Sequence, residues 1–163
     1  MRKIVLVFAM VALTFSMNAQ LNYDKWQVVV TTDEFGDPTG DNVSRIFGKG
    51  VFSNSATSNS ELIVKFVDWG DAMTLDLYEY GRTPGASLSY KSAFGEIKIK
   101  EDDGTVVKVN AFANKNGGLY FSDENYVALM KVINRGSSVL KIQFDERSFG
   151  LSGSSSYSFK INN

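Results

Sequence analysis

Residues 31–41 read Thr-Thr-Asp-Glu-Phe-Gly-Asp-Pro-Thr-Gly-Asp, and four carboxylates fall within nine of these positions: Asp33, Glu34, Asp37 and Asp41. Acids at this density suggest two chemistries. One is an all-oxygen calcium site. The other is a pair of carboxylates working as acid and base or nucleophile, as in glycoside hydrolysis. A helix–loop–helix calcium loop takes oxygens at every second position and ends in a bidentate Glu. Here Asp33, Asp37 and Asp41 step by fours, and Pro38 fixes the backbone between them. Asp, Gly and Pro in this mixture are turn formers, because Asx side chains bond their own backbone and Gly supplies positive φ. The stretch is therefore expected to be a turn between a first and a second strand. A weak calcium site on Asp33, Asp37 and Asp41 is the second reading, and a carboxylate-dependent hydrolase the third.

Aromatic side chains form the other candidate. Trp69, Tyr78, Tyr80 and Tyr90 flank or lie within the Gly-, Pro- and Ser-rich segment 81–93. Grouped on a surface, they would make a platform for a sugar face or a peptide. The competing account is that Tyr suits strand surfaces and cross-strand pairs. The segment GRTPGAS (81–87) is Gly-rich, but it neither opens a helix nor ends in Lys-Ser/Thr, both of which a phosphate-cradling loop requires.

The chain has no Cys and no His. That removes disulfides, thiolate nucleophiles, thiolate–imidazole zinc sites, the Ser-His-Asp triad and any imidazole base. Carboxylate chemistry, Ser/Lys chemistry and all-oxygen metal sites remain, and no resident cofactor is implied beyond weakly held calcium.

The first residues carry a different signal. Arg2 and Lys3 precede an apolar run from Ile4 to about Phe15, and small and polar residues follow as far as Asn18-Ala19-Gln20. This is the pattern of a secretory signal peptide, residues 1–19, cut after Ala19. The apolar run is about twelve residues long, whereas spanning a bilayer takes about twenty. No Cys follows it to accept a lipid. Cleavage leaves residues 20–163 as one domain with 15 Lys+Arg against 18 Asp+Glu. With no basic block after the signal, nucleic acid and anionic membranes are not expected partners. The product is expected to be exported, periplasmic or extracellular, and not membrane-spanning.

The elements that must position these side chains are short and alternating. Strands are expected near 26–31, 44–52, 61–67, 73–80, 95–100, 105–109, 140–144 and 157–161, from period-two apolar patterns. Gly48 and Gly50 within the second suggest a bulge or a close backbone approach. Asp103-Gly104 marks a hairpin between the fifth and sixth. One segment has the helical period: Tyr126, Leu129, Met130 and Ile133 lie at i, i+3, i+4 and i+7, with Ser122 or Asp123 to cap the start and Gly136 to end it. Clean alternation marks antiparallel sheets with one wet face. The expected fold is mainly β: an antiparallel β-sandwich, or alternatively a partly open β-barrel, with one short amphipathic helix.

Trp26, the turn Asp37-Pro38-Thr39-Gly40-Asp41, the run of strands, and then FSDENYVALMKVINRGSSVLKIQF followed by YSFKI make a layout that resembles one group of small secreted proteins. These are the proteins grouped with the type VI secretion-associated periplasmic protein and with invasion-associated locus B proteins. The resemblance implies a signal peptide, a compact β-sandwich with a covering helix, and an accessory role in the envelope. Those proteins often carry Cys, and this chain has none. The function expected is that of an exported, non-enzymatic accessory protein acting through envelope-protein or glycan contacts. The alternative is a carbohydrate- or calcium-dependent binding module. Expression in a host with a secretory pathway tests the first step. The exported product is expected to have an intact mass corresponding to a chain that begins at Gln20, and an unprocessed mass would refute cleavage.

Overall fold

The computed structural model describes residues 25–80, 83–84, 93–113, 118–151 and 154–162. The strands, in chain order, are β1 (Gln27–Thr32), β2 (Pro38–Ser53), β3 (Ser60–Asp68), β4 (Ala72–Glu79), β5 (Thr83–Pro84), β6 (Ala93–Lys100), β7 (Val106–Ala113), β8 (Gly118–Ser122), β9 (Val139–Asp145) and β10 (Ser156–Asn162). Helix α1 (Asp123–Ile133) follows β8, and a 3₁₀ turn (Glu146–Phe149) follows β9. The signal segment and Tyr90 lie outside the described residues.

The fold is mainly antiparallel β with one α-helix, as expected. Pairing runs β2-β10-β9-β6-β7-β8-β4-β3, and β3 returns to β2, so eight strands form a closed ring. This fits the barrel alternative, with the ring complete rather than partly open. The hydrogen bonding does not divide the strands into the two facing sheets expected of a sandwich. Alternation looks the same in both architectures, because each has one buried and one wet face. What decides closure is β2. This 16-residue strand pairs with β10 along one edge and with β3 along the other.

Two inward positions on β2 are glycines for a steric reason. A Cβ at Gly50 would lie 2.1 Å from the Ser158 carbonyl oxygen, and one at Gly48 would lie 2.4 Å from that of Lys160. The backbones of β2 and β10 approach too closely there for a side chain, and the strand can bend into the ring.

An eight-stranded barrel is just wide enough to be filled by side chains. The rings of Phe52, Tyr157 and Phe144 are stacked through it, with centroids 6.3 and 4.9 Å apart. Such contacts add roughly 0.5–1.5 kcal/mol each beyond burial. Leu62, Leu75, Ile97 and Phe121 have no exposed surface. Glu79 also faces inward, and the Tyr157 hydroxyl donates to it at 2.8 Å. At one end α1 packs on β7, β8 and β4. Leu129, Val132 and Ile133 are its buried residues, so the apolar stripe is rotated from the expected one, and Tyr126 and Met130 lie at its margin. At the other end Phe149 fills the space beside Gly95, where a Cβ would lie 2.3 Å from its ring. Strand β8 was not among the expected strands. Its five residues begin at the second of two glycines, and the four that follow are too few to show alternation. Among the described residues, no helix is long and apolar enough to cross a membrane.

Gly50→Ala is expected to destabilise the barrel by about 1–3 kcal/mol through overpacking. The outward-facing Ser158→Ala on the neighbouring strand is expected to change stability by less than about 0.5 kcal/mol. Urea melts of the two variants check this, and a Gly50→Ala curve superimposing on the parent would rule out the close approach.

Candidate functional site

The acidic stretch is the tip of a two-stranded ribbon. β1 pairs with the first half of β2, from Gln27 opposite Arg45 to Thr32 opposite Pro38. Pairing of β2 with β3 begins only at Ser44 opposite Asp68, so the ribbon runs on past the end of β3. One oxygen of Asp33 accepts from the backbone N–H groups of both Phe35 and Asp37, each at 2.9 Å. The Asp33 N–H donates to the Asp37 carbonyl at 2.9 Å, and Gly36 turns the chain at φ +89°. The Thr31 and Thr39 hydroxyls meet across the ribbon. The first carboxylate of the stretch, Asp33, thus holds the turn together, as the first reading expects. Among the described residues, no three acidic side chains are grouped to hold a metal ion.

Of the aromatic candidates described, Trp69 is held apart from Tyr78 and Tyr80. Trp69 sits at the β3–β4 turn, 52% exposed, its indole N–H donating to Thr74 Oγ1 at 3.4 Å. Tyr78 and Tyr80 lie at the far end of the same hairpin, where the Tyr80 N–H bonds the Glu61 carbonyl. The intervening strand puts them roughly 25 Å from Trp69. Tyr78 carries Lys65 Nζ over its ring, 5.7 Å from the centroid, and Tyr80 packs edge-on against Phe52 at 4.9 Å. These are structural contacts of single rings.

The buried acids have separate partners. Glu79 accepts from Tyr157, Glu101 pairs with Arg135 at 2.6 Å, and Glu146 accepts from the Ser155 N–H at 3.1 Å. A Ser-x-x-Lys spacing occurs at Ser138-Val139-Leu140-Lys141. Serine–lysine acyl transfer needs that pair on one side of its element. Here the spacing runs into β9, where residues three apart face opposite sides, and the Ser138 hydroxyl donates to Asp102 at 2.8 Å.

The outer wall carries a more concentrated feature. Lys49 is opposite Lys160, Lys160 is opposite Lys141, and Lys141 is opposite Lys100. Four lysines thus stand in one row across β2, β10, β9 and β6, all exposed. At about 4.8 Å per strand the row is about 14 Å long. Lys98 adds a fifth positive charge beside it, opposite Gln143. Like charges directly opposite cost roughly 0.2–1 kcal/mol per pair. Among the described residues, no carboxylate makes an ion pair with Lys98, Lys100, Lys141 or Lys160. Two shallow hollows of ≈ 290 and ≈ 450 Å³ flank the row, and Lys141 and Ser158 line both.

A scan against protein-family models finds no match, and curated proteins and solved structures give none.

The row escapes a search for basic blocks because its members come from four separate strands. Each strand does show one lysine or more on its wet face, in GKG, IKIK, LKI and FKI. Only the register puts them side by side.

Asp102 bounds this wall beyond β6. Its Oδ2 accepts from the Ser138 N–H at 2.6 Å, the Ser138 hydroxyl at 2.8 Å and the Val139 N–H at 3.4 Å. The hydrogen bonds from Ser138, then that from Val139 and the charge of Lys141, hold its carboxyl below the ordinary 3.8. A depressed folded value means the clasp is intact above the unfolded value and is lost as pH falls through the folded one. Exchange of the Ser138 and Val139 amides, measured against the core amide of Ile142, is therefore expected to accelerate below about pH 3.8. In Asp102→Ala it is expected to be fast at every pH. An acid response that survives the substitution would refute the clasp.

Proposed function

We propose that this protein is an exported, non-enzymatic accessory protein of the bacterial envelope, and that it holds an anionic glycan along the lysine row of its outer wall. The row itself carries this reading. Lys100, Lys141 and Lys160 are like charges in register that oppose folding, and an anionic ligand laid across the row removes that cost. The interior supports it as well. A barrel filled by Phe52, Tyr157, Phe144 and their neighbours leaves recognition to the outside. The absence of Cys and His, with the buried acids each engaged by a different partner, supports a non-catalytic role. The signal segment and the likeness to secreted envelope proteins support the location.

The chemistry favours a glycan over nucleic acid. Lysines are compact point charges suited to a series of carboxylates or sulfates. The row has no arginine fork to grip phosphate and no aromatic ring on which a base would stack.

The chain is expected to bind a linear polyuronate, with retention falling as salt rises, and not to bind an uncharged dextran. Lys141→Glu with Lys160→Glu is expected to weaken binding at least tenfold, at about 1 kcal/mol per charge lost and further for each reversed. The double variant is expected to melt no lower than the parent, since it relieves like-charge contacts. Unchanged polyuronate binding would refute the row, and equal or tighter binding to duplex DNA would refute the glycan assignment.

A further inference from the structure

Closing the ring removes the edges of the barrel strands, but the ribbon retains two. One is the first half of β2, with sequence Pro38-Thr-Gly-Asp-Asn-Val, which carries Pro38, Gly40 and Asp41. Proline, glycine and charge are the usual means by which proteins blunt an edge. The other is β1, Gln-Val-Val-Val-Thr-Thr, which has none of them. It is a run of β-branched residues with its outer edge unpaired among the described residues. Val28 is 72% exposed and Val30 52% exposed, on one face of the ribbon.

We infer that β1 pairs antiparallel with β1 of a second copy of this chain, about a two-fold axis at Val29. Charge selects the direction. A parallel arrangement would bring the two acidic tips, each with Asp33, Glu34 and Asp37, side by side. The antiparallel one points them apart. Charge and apolar surface also agree on the register. With Val29 opposite its own copy, Val28 is opposite the partner's Val30 and Val30 is opposite the partner's Val28, so the four exposed valines form one apolar cluster. In the same register Asp33 is opposite the partner's Lys25, and Lys25, exposed at the base of β1, is opposite the partner's Asp33. Centring the axis on Val30 would instead set Val28 against the partner's Thr32 and Lys25 against the partner's Phe35. The contact is isologous and closes at two copies, joining the two ribbons into one four-stranded sheet.

The full exported chain is expected to show a concentration-dependent monomer–dimer equilibrium in analytical ultracentrifugation. Lys25→Glu and Asp33→Lys are each expected to weaken the dimer roughly tenfold, since each sets two like-charge pairs across the axis. Mixing the two variants is expected to restore it, because every cross-axis pair is then of opposite sign. That recovery separates loss of the contact from damage to the turn that Asp33 holds. A native chain without Cys also allows a clean cross-link. Directly opposed residues have Cα atoms about 4.5–5.5 Å apart, within disulfide reach. Val29→Cys is expected to form a covalent dimer on mild oxidation, and Val28→Cys is not. A chain that stays monomeric at the highest attainable concentration, a mixture that does not recover, or equal cross-linking at both positions would each overturn the inference.

Discussion

The structure depends on the close backbone contact between β2 and β10. Gly48 and Gly50 let the long second strand bend against the last one, with no room for a Cβ. That bend lets β2 serve two neighbours at once, and without it β3 and β10 would have no common partner. An eight-stranded ring is narrow enough for side chains to fill it, and here Phe52, Tyr157, Phe144 and their neighbours do. With the inside occupied and the two ends covered by α1 and by Phe149, the described residues offer their chemistry to other molecules on the outer wall and the ribbon.

The outer wall shows how register creates a property that no single segment has. Lys49, Lys100, Lys141 and Lys160 are ordinary wet-face residues, one per strand, in a chain whose formal net charge is −1. Antiparallel pairing places them opposite one another. Of the 18 acids, four stand together at the tip of the ribbon. Charge is therefore locally concentrated even though the net charge is near zero, and local fields, more than total charge, decide what approaches.

Much of the architecture can be read from short patterns. Met73, Leu75 and Leu77 alternate with polar residues and do face inward, as do Leu140, Ile142 and Phe144. The hairpin at Asp103-Gly104 forms between β6 and β7. The glycines of the second strand announce a close approach, and Asp33 behaves as a turn former. The parts that cannot be read this way depend on long-range partners. Strand β8 is too short to declare its period. The stripe of α1 is rotated because β7 and β8, and not the helix itself, determine which residues are covered. Whether alternating strands close into a ring is a question of who pairs with whom, on which alternation says nothing. The lysine row was hidden for the same reason. Trp69 is near Tyr78 and Tyr80 in sequence but not in space, because the β3–β4 hairpin carries it to the other end.

The seam between β2 and β10 also has a consequence in time. The hairpins β3–β4 and β6–β7 join residues close along the chain and can form as soon as they are made. The seam joins Lys49 to Lys160, almost the whole length of the domain. Long-range pairings of this kind form slowly, since the entropy of closing the loop is lost before any contact repays it. Until the last strand arrives, β2 and β9 each present a bare edge, and the aromatic core between them is open to water. A chain of this topology completes its barrel only when β10 is free to move into place. That requirement fits the export proposed above, in which the chain would cross a membrane before it folds.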